Sequence, residues 1–214
     1  MSKEIIWIFQ TGEPIPSDNN SRGMRLTNLY KAAVELSNDV LIITSNFNHS
    51  TKKFREKSRY LKPFFIKKNL ILINSSGYSK NISFSRLLDH ALLSFNLLLF
   101  LIFSSRKFKK PTISFIGFPP IEWAFIACLW SKIRGIKSVV DIKDIWPDIF
   151  FENQKLIKKF IIMIGSLPYF ILRHLTFLLS SNICLPTEFY ASKVIRFHPN
   201  LKKNKIICPL VPTI

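Results

Sequence analysis

The chain has 214 residues, 48% of them hydrophobic and 20 of them Phe, which excludes a disordered protein. Its formal net charge is +18, with 31 Lys plus Arg against 13 Asp plus Glu, so a polyanionic neighbour is expected even though Lys, Asn, Ile and Phe are inflated together. Cys128, Cys184 and Cys208 show no CxxC spacing, which argues against a disulfide or zinc scaffold and reads as free buried thiols in a reducing compartment.

Taken in order, the first apolar run is Ile5–Phe9, continuous rather than alternating, the mark of a strand covered on both faces and too short for a secretory signal. The polar loop QTGEPIPSDNNSRGMR then leads to a helix over Gly23–Leu36, striped by Leu26, Leu29, Tyr30, Ala33 and Val34, with Asn20 or Ser21 as its cap. Further strands are read at Val40–Thr44, Leu70–Asn74, Ile113–Gly117, Ser138–Ile142, Ile183–Leu185 and Ile206–Cys208. Helices fall over Phe84–Phe103, over Ile121–Ile133 behind Pro119-Pro120, and over Glu188–Phe197 capped by Thr187. The stretch Gln154–Leu179 reads as two helices broken near Gly165 or Pro168. Strand and helix in alternation predict one α/β domain over 1–214, doubly wound around a mainly parallel sheet.

Two stretches, Ala91–Phe103 and Phe160–Leu172, are almost wholly apolar but shorter than the ~20 residues of a spanning helix. Asp89 and His90 bound the first, Arg173 and His174 the second, so both are read as buried or interfacial helices. Arg106, Lys107, Lys109 and Lys110 follow one apolar run, and Lys155, Lys158 and Lys159 precede another. Basic residues beside greasy helices suit an anionic membrane surface. The Phe residues lie inside apolar runs rather than between Lys and Arg, so no nucleic-acid partner is expected. The expected location is the cytosol or the cytosolic face of a membrane.

In such a sheet ligands bind outside the carboxyl ends of the strands. The loop after the first strand holds only Gly12 and Gly23, which disfavours a GxGxxG dinucleotide site. Arg22, Gly23 and Arg25 either hold a phosphate at the helix N-terminus or belong to a capped surface helix with two solvated arginines. At the fifth strand, SVVDIKDIWPDIF places Asp144 to accept a hydrogen bond from a hydroxyl or take its proton, with Trp146 as an apolar plate for a sugar ring. Asp141 either joins this edge or turns inward to cap a helix, and Asp148 reads as a solvated loop acid. Glu188 marks the edge of the sixth strand, while Glu122 needs no role beyond the helix dipole. His49, His90, His174 and His198 form neither a metal spacing nor a nucleophile motif.

Four stretches, in this order, resemble the N-terminal domain of glycosyltransferase family 4, in the branch that builds O-antigen, capsule and other lipid-linked glycans. They are SRGMRLTNLYKAAVELSNDVLIITS, LLDHALLSFNLLLFLIF, ISFIGFPPIEWAFIACLW and VVDIKDIWPD, the last matching an apolar strand that ends in Asp-Leu-Trp-Pro. The resemblance implies the N-terminal half of a GT-B fold, with a Rossmann-like sheet and an acceptor-binding role. The activity implied is retaining transfer of a sugar from a nucleotide-sugar to a polyprenyl-linked or glycan acceptor. Asp144 would be catalytic, and Gly12, Arg22, Gly23, Arg25, Trp146 and Glu188 would contact acceptor or phosphate. No metal or organic cofactor is implied, the nucleotide-sugar being a co-substrate. Nothing in 1–214 matches the family's donor-binding half, so a missing C-terminal domain or a partner chain is expected to supply it. The alternative is a non-catalytic membrane-docking subunit or a truncated remnant.

Overall fold

The computed structural model describes residues 3–18, 24–36, 38–56, 62–81, 83–148 and 156–209, with the backbone alone for 156–162. Ten strands form: β1 (Ile5–Phe9), β2 (Asp39–Ser45), β3 (Phe47–Asn48), β4 (Lys53–Phe54), β5 (Phe64–Lys67), β6 (Leu70–Ile73), β7 (Ile113–Phe118), β8 (Lys137–Ile142), β9 (Asn182–Leu185) and β10 (Lys205–Ile207). The five α-helices are α1 (Arg25–Glu35), α2 (Phe84–Phe103), α3 (Ile121–Ile133), α4 (Leu156–Leu179) and α5 (Glu188–Phe197). Eight strands make one sheet in the order β10-β9-β8-β7-β1-β2-β6-β5, parallel except for β5, and β3 pairs with β4 in a small separate hairpin. This is a doubly wound, Rossmann-like α/β fold.

Alternation along β1 shows why both sheet faces are covered. Trp7 and Phe9 enter the core shared with α2, α3, α4 and α5, while Ile8 enters a second core with Leu26 and Ala33 of α1. In the larger core Trp7 stacks on Trp130 of α3, ring centroids 5.2 Å apart and 10° from parallel. Each fully buried side chain of this size contributes roughly 1.5–3 kcal/mol. The chain runs from β1 outward to β2 and β6, then crosses through α2 to β7 on the other flank of β1. The sheet order therefore reverses at β1, and a crevice forms at the strand ends there.

The structure corrects three expectations. First, β5 was not among the strands read from the sequence, because its apolar run is only Phe64–Ile66 and it is an antiparallel edge strand with Ile66 and Lys67 exposed. The two-residue strands β3 and β4 were likewise too short to show as apolar runs. Second, α4 is one helix with Pro168 inside it. Proline removes the bond to the carbonyl of Ile164, a residue 59% exposed, so the freed acceptor lies toward the outer side and packing on α3 keeps the helix whole. Third, α1 starts at Arg25 behind Met24 with no side-chain cap from its neighbours, and Asn20 and Ser21 lie outside the described residues. Its cap comes from the preceding loop, where Glu13 Oε2 accepts from Leu26 N at 2.7 Å. The helix read over Ile121–Ile133 forms with those bounds as α3, Pro120 standing at its N-cap. Thr187 caps α5 as expected, accepting from Tyr190 N at 3.3 Å.

By length and composition α2 is apolar enough to cross a membrane, with mean hydropathy 1.6 over its most apolar window. Yet Leu93, Leu97, Phe100 and Leu101 are buried against the sheet. Leu88, Leu92, Phe95 and Ile102 stand on its exposed side, and Ile164, Leu167, Ile171 and Leu178 do the same on α4.

Candidate functional site

A cleft of about 300 Å³ opens at the carboxyl ends of β1, β2, β7 and β8. Thr11, Gly12 and Glu13 come from the loop after β1, Ser45, Phe47 and His49 from the end of β2 and the β3 hairpin, and Pro119 and Pro120 from the turn after β7. Lys143 and Asp144 follow β8, while Tyr78, Arg86, Asp89 and His90 come from the β6–α2 loop and the first turns of α2. Gly12 has φ +78° and open space around it, so the chain turns there without a side chain intruding on the cleft. The Arg55–Asp18 ion pair, at 2.6 Å, ties the loop after β1 to the segment after the β3–β4 hairpin.

The floor of the cleft is self-neutralised. Glu13, 5% exposed, is ion-paired with Lys143 and caps α1. Beneath it Arg25 is paired with Asp141, and both are buried. Burial pushes the Asp141 carboxyl above its usual range, against the pull of Lys143 and Arg25. The α2 wall carries free positive charge. Lys52 Nζ bonds Asn81 Oδ1 at 2.7 Å, Arg86 Nη1 bonds the Asn81 carbonyl at 2.7 Å, and neither enters an ion pair among the described residues. Arg86 lies 5.5 Å from the Tyr78 ring centroid and 5.0 Å from that of Trp146, and its Nε is buried without a partner.

Tyr78 Oη shares a hydrogen bond with His49 Nδ1, and burial pushes the phenol above its usual pKa and the imidazole below its own. Asp89 accepts from Gly77 N, with Ser76 Oγ 3.4 Å away, and burial raises its pKa. Burial, with Arg86 and His49 nearby, lowers the His90 pKa to about 3, so this imidazole is neutral at pH 7. Asp144 is half-buried, and no ion pair engages its carboxylate among the described residues. The arrangement can accept a hydroxyl proton or hydrogen bond at Asp144 and hold an anion between Lys52 and Arg86.

Of the residues singled out from the sequence, Gly12 and Asp144 meet in this cleft. Arg25 is beside it but turned inward, with its guanidinium on Asp141 and the Cys208 carbonyl at 2.5 Å. Trp146, 7% exposed, supports the wall from behind, its ring 5.9 Å from that of His90. Glu188 is exposed at the far end of the sheet and paired with Lys205 at 2.6 Å. Arg22 and Gly23 lie outside the described residues. Asp141 turns inward to an arginine rather than to a helix end, and Asp148 is paired with Arg173. Lys52, Tyr78, Arg86, Asp89 and His90 were not among the sequence candidates. Among the described residues no cluster of His, Cys, Asp and Glu has the grouping of a metal site.

No protein-family profile matches the chain, and no curated protein matches it significantly.

Proposed function

We propose that the chain is the acceptor-binding, membrane-facing half of a retaining glycosyltransferase that transfers a sugar from a nucleotide-sugar to a polyprenyl-linked acceptor. The observation that carries this reading is the carboxylate of Asp144 in the same cleft as Arg86, neither of them in an ion pair among the described residues, with Lys52 beside the cleft against His49 and Tyr78. Asp144 orients the acceptor hydroxyl or takes its proton, and the two cations hold the acceptor's phosphate. Tyr78 and Phe47 offer ring faces to the sugar. The donor's diphosphate lies on a C-terminal domain or a partner chain.

The exposed apolar stripes of α2 and α4, with Arg106, Lys107 and Lys110 exposed near the end of α2, suit the anionic cytosolic leaflet of the inner membrane. In the complete transferase, Asp144→Asn lowers turnover by roughly 10²–10⁴-fold and leaves binding to phosphatidylglycerol vesicles intact; unchanged turnover removes Asp144 from this role. The breadth of the apolar face favours a second reading, a non-catalytic docking subunit for a separate donor-binding chain. Transfer by the isolated chain excludes that second reading, and transfer that appears only with a second polypeptide supports it.

A further inference from the structure

A second cavity, of about 250 Å³, lies between α4 and α5, away from the cleft. Arg173, Lys193, Arg196 and His198 line it together with the rings of Phe177 and Tyr190, and the only acid on its wall among the described residues is Asp148. His198 is 5% exposed, its Nδ1 is buried with no partner, and its ring lies 4.7 Å from that of His174. Burial, with His174 and Arg173 close by, lowers the His198 pKa to about 4, so at neutral pH the pocket's positive charge rests on Arg173, Lys193 and Arg196. Lys193 and Arg196 enter no ion pair among the described residues.

Arg173 also reaches the first cleft's wall. Its Nη1 bonds the Trp146 carbonyl at 3.0 Å and the Asp148 carboxylate, with its side chain 14% exposed. Trp146 in turn packs against His90 and Arg86 of the cleft. One guanidinium thus holds the loop whose indole backs the cleft.

We propose that the α4–α5 pocket binds a small phosphate monoester, with the phosphate on Arg173, Lys193 and Arg196 and the attached ring or chain against Phe177 and Tyr190, and that its occupancy shifts Trp146 through Arg173. A phosphate competes with Asp148 for Arg173, because a dianion bonds a guanidinium more strongly than an exposed carboxylate does. Asp148 is the weaker partner, its side chain 52% exposed. The proposal stands whether or not the cleft takes a sugar acceptor. The phosphate source is a soluble ester or a lipid headgroup.

The test is tryptophan fluorescence of the full chain titrated with inorganic phosphate, chloride matching the ionic strength, and in parallel with vesicles containing phosphatidic acid. Calorimetry of the same titrations reads affinity independently of Trp146. Saturable binding is expected, weakened about tenfold or more in the double variant Lys193→Gln/Arg196→Gln by the loss of two charge-assisted contacts. Both residues are exposed, so this variant keeps the wild-type unfolding midpoint. The fluorescence change, but not the calorimetric binding, disappears in Trp146→Phe. A response to free phosphate supports a soluble ligand; a response to vesicles alone, lost in the double variant, supports a lipid headgroup. Absence of both overturns the proposal. So does binding that survives in the double variant and is lost in Lys52→Gln/Arg86→Gln, because the anion would then sit in the first cleft.

Discussion

Replacing Arg25 with Met isolates the ion pair beneath the cleft. The guanidinium leaves behind Asp141, which is 0% exposed and has one oxygen, Oδ2, already without a partner. Stranding a buried charge costs about 3–5 kcal/mol, a large part of the roughly 5–15 kcal/mol of a typical domain. The single variant also frees the Cys208 carbonyl beyond β10, so the loss belongs at the upper end of that range. In Arg25→Met/Asp141→Val both charges are gone, and most of the stability returns because two desolvation penalties vanish together.

Urea unfolding followed by circular dichroism at neutral pH measures all three changes as a cycle. The pH dependence has a definite sign. Burial already holds the Asp141 carboxyl above its ordinary value, and removing Arg25 raises it further. A carboxyl raised in the folded state carries its penalty at neutral pH and loses it as pH falls through the folded pKa, so the gap between wild type and Arg25→Met narrows in acid. A loss below about 1 kcal/mol for Arg25→Met, or a double variant no more stable than the single one, would refute this account.

Gly77 has φ +72°, and a Cβ there would meet Phe54 Cζ at 2.9 Å, so Gly77→Ala lowers stability by about 1–2 kcal/mol in a thermal melt; an unchanged melt would mean the β6–α2 loop is not held in this conformation. His90, with a pKa of about 3 in the fold against an ordinary 6.5, adds stability that is present above 6.5 and lost as pH falls toward 3. His90→Gln therefore flattens the fall in stability between about pH 6 and 4, by up to about 1.4 kcal/mol per pH unit, and an equal slope in both proteins would contradict a buried neutral imidazole. Leu88→Glu/Phe95→Glu, two exposed positions on α2, reduces co-sedimentation with phosphatidylglycerol vesicles without changing the unfolding midpoint; undiminished sedimentation would move membrane contact off α2.

The strands that build the parallel core were legible because burial on both faces writes most of them as apolar runs, as in Ile5–Phe9 of β1 and Val40–Ile43 inside β2. The start of α3 was legible from Pro119-Pro120, while β5 was not, since its apolar run is only Phe64–Ile66 and ends exposed. Pro168 misled for a tertiary reason: packing on α3 outweighs a missing bond on the outer side of α4.

At the site, the strand-end rule located Gly12 and Asp144, whose place is set by β1 and β8. It could not locate Lys52 or Tyr78, which arrive from a hairpin and a loop that no period announces, nor Arg86, which sits in the first turn of α2 rather than after a strand. Asp89 and His90 did leave a trace, since a charged and a titratable residue stand just before the apolar stretch of α2 that begins at Ala91. Their pairing with the cleft, rather than with the end of an apolar segment, needed the sheet reversal to be seen.

The loop carboxylate of Glu13, seated on the first amides of α1 and paired with Lys143, has a consequence for what enters the cleft. The chain acts as its own counter-ion on that side, so an incoming phosphate meets a carboxylate where a phosphate-binding helix would offer bare N–H groups. Positive charge outside an ion pair is left at Arg86, with Lys52 beside it, and the other acids on the wall are Asp144 and the buried Asp89. Met24, Phe47, Leu93, Pro119 and Pro120 make much of the remaining wall apolar. A guest with one anionic end and one hydroxyl end is favoured in one orientation, and a guest anionic at both ends meets repulsion at Asp144.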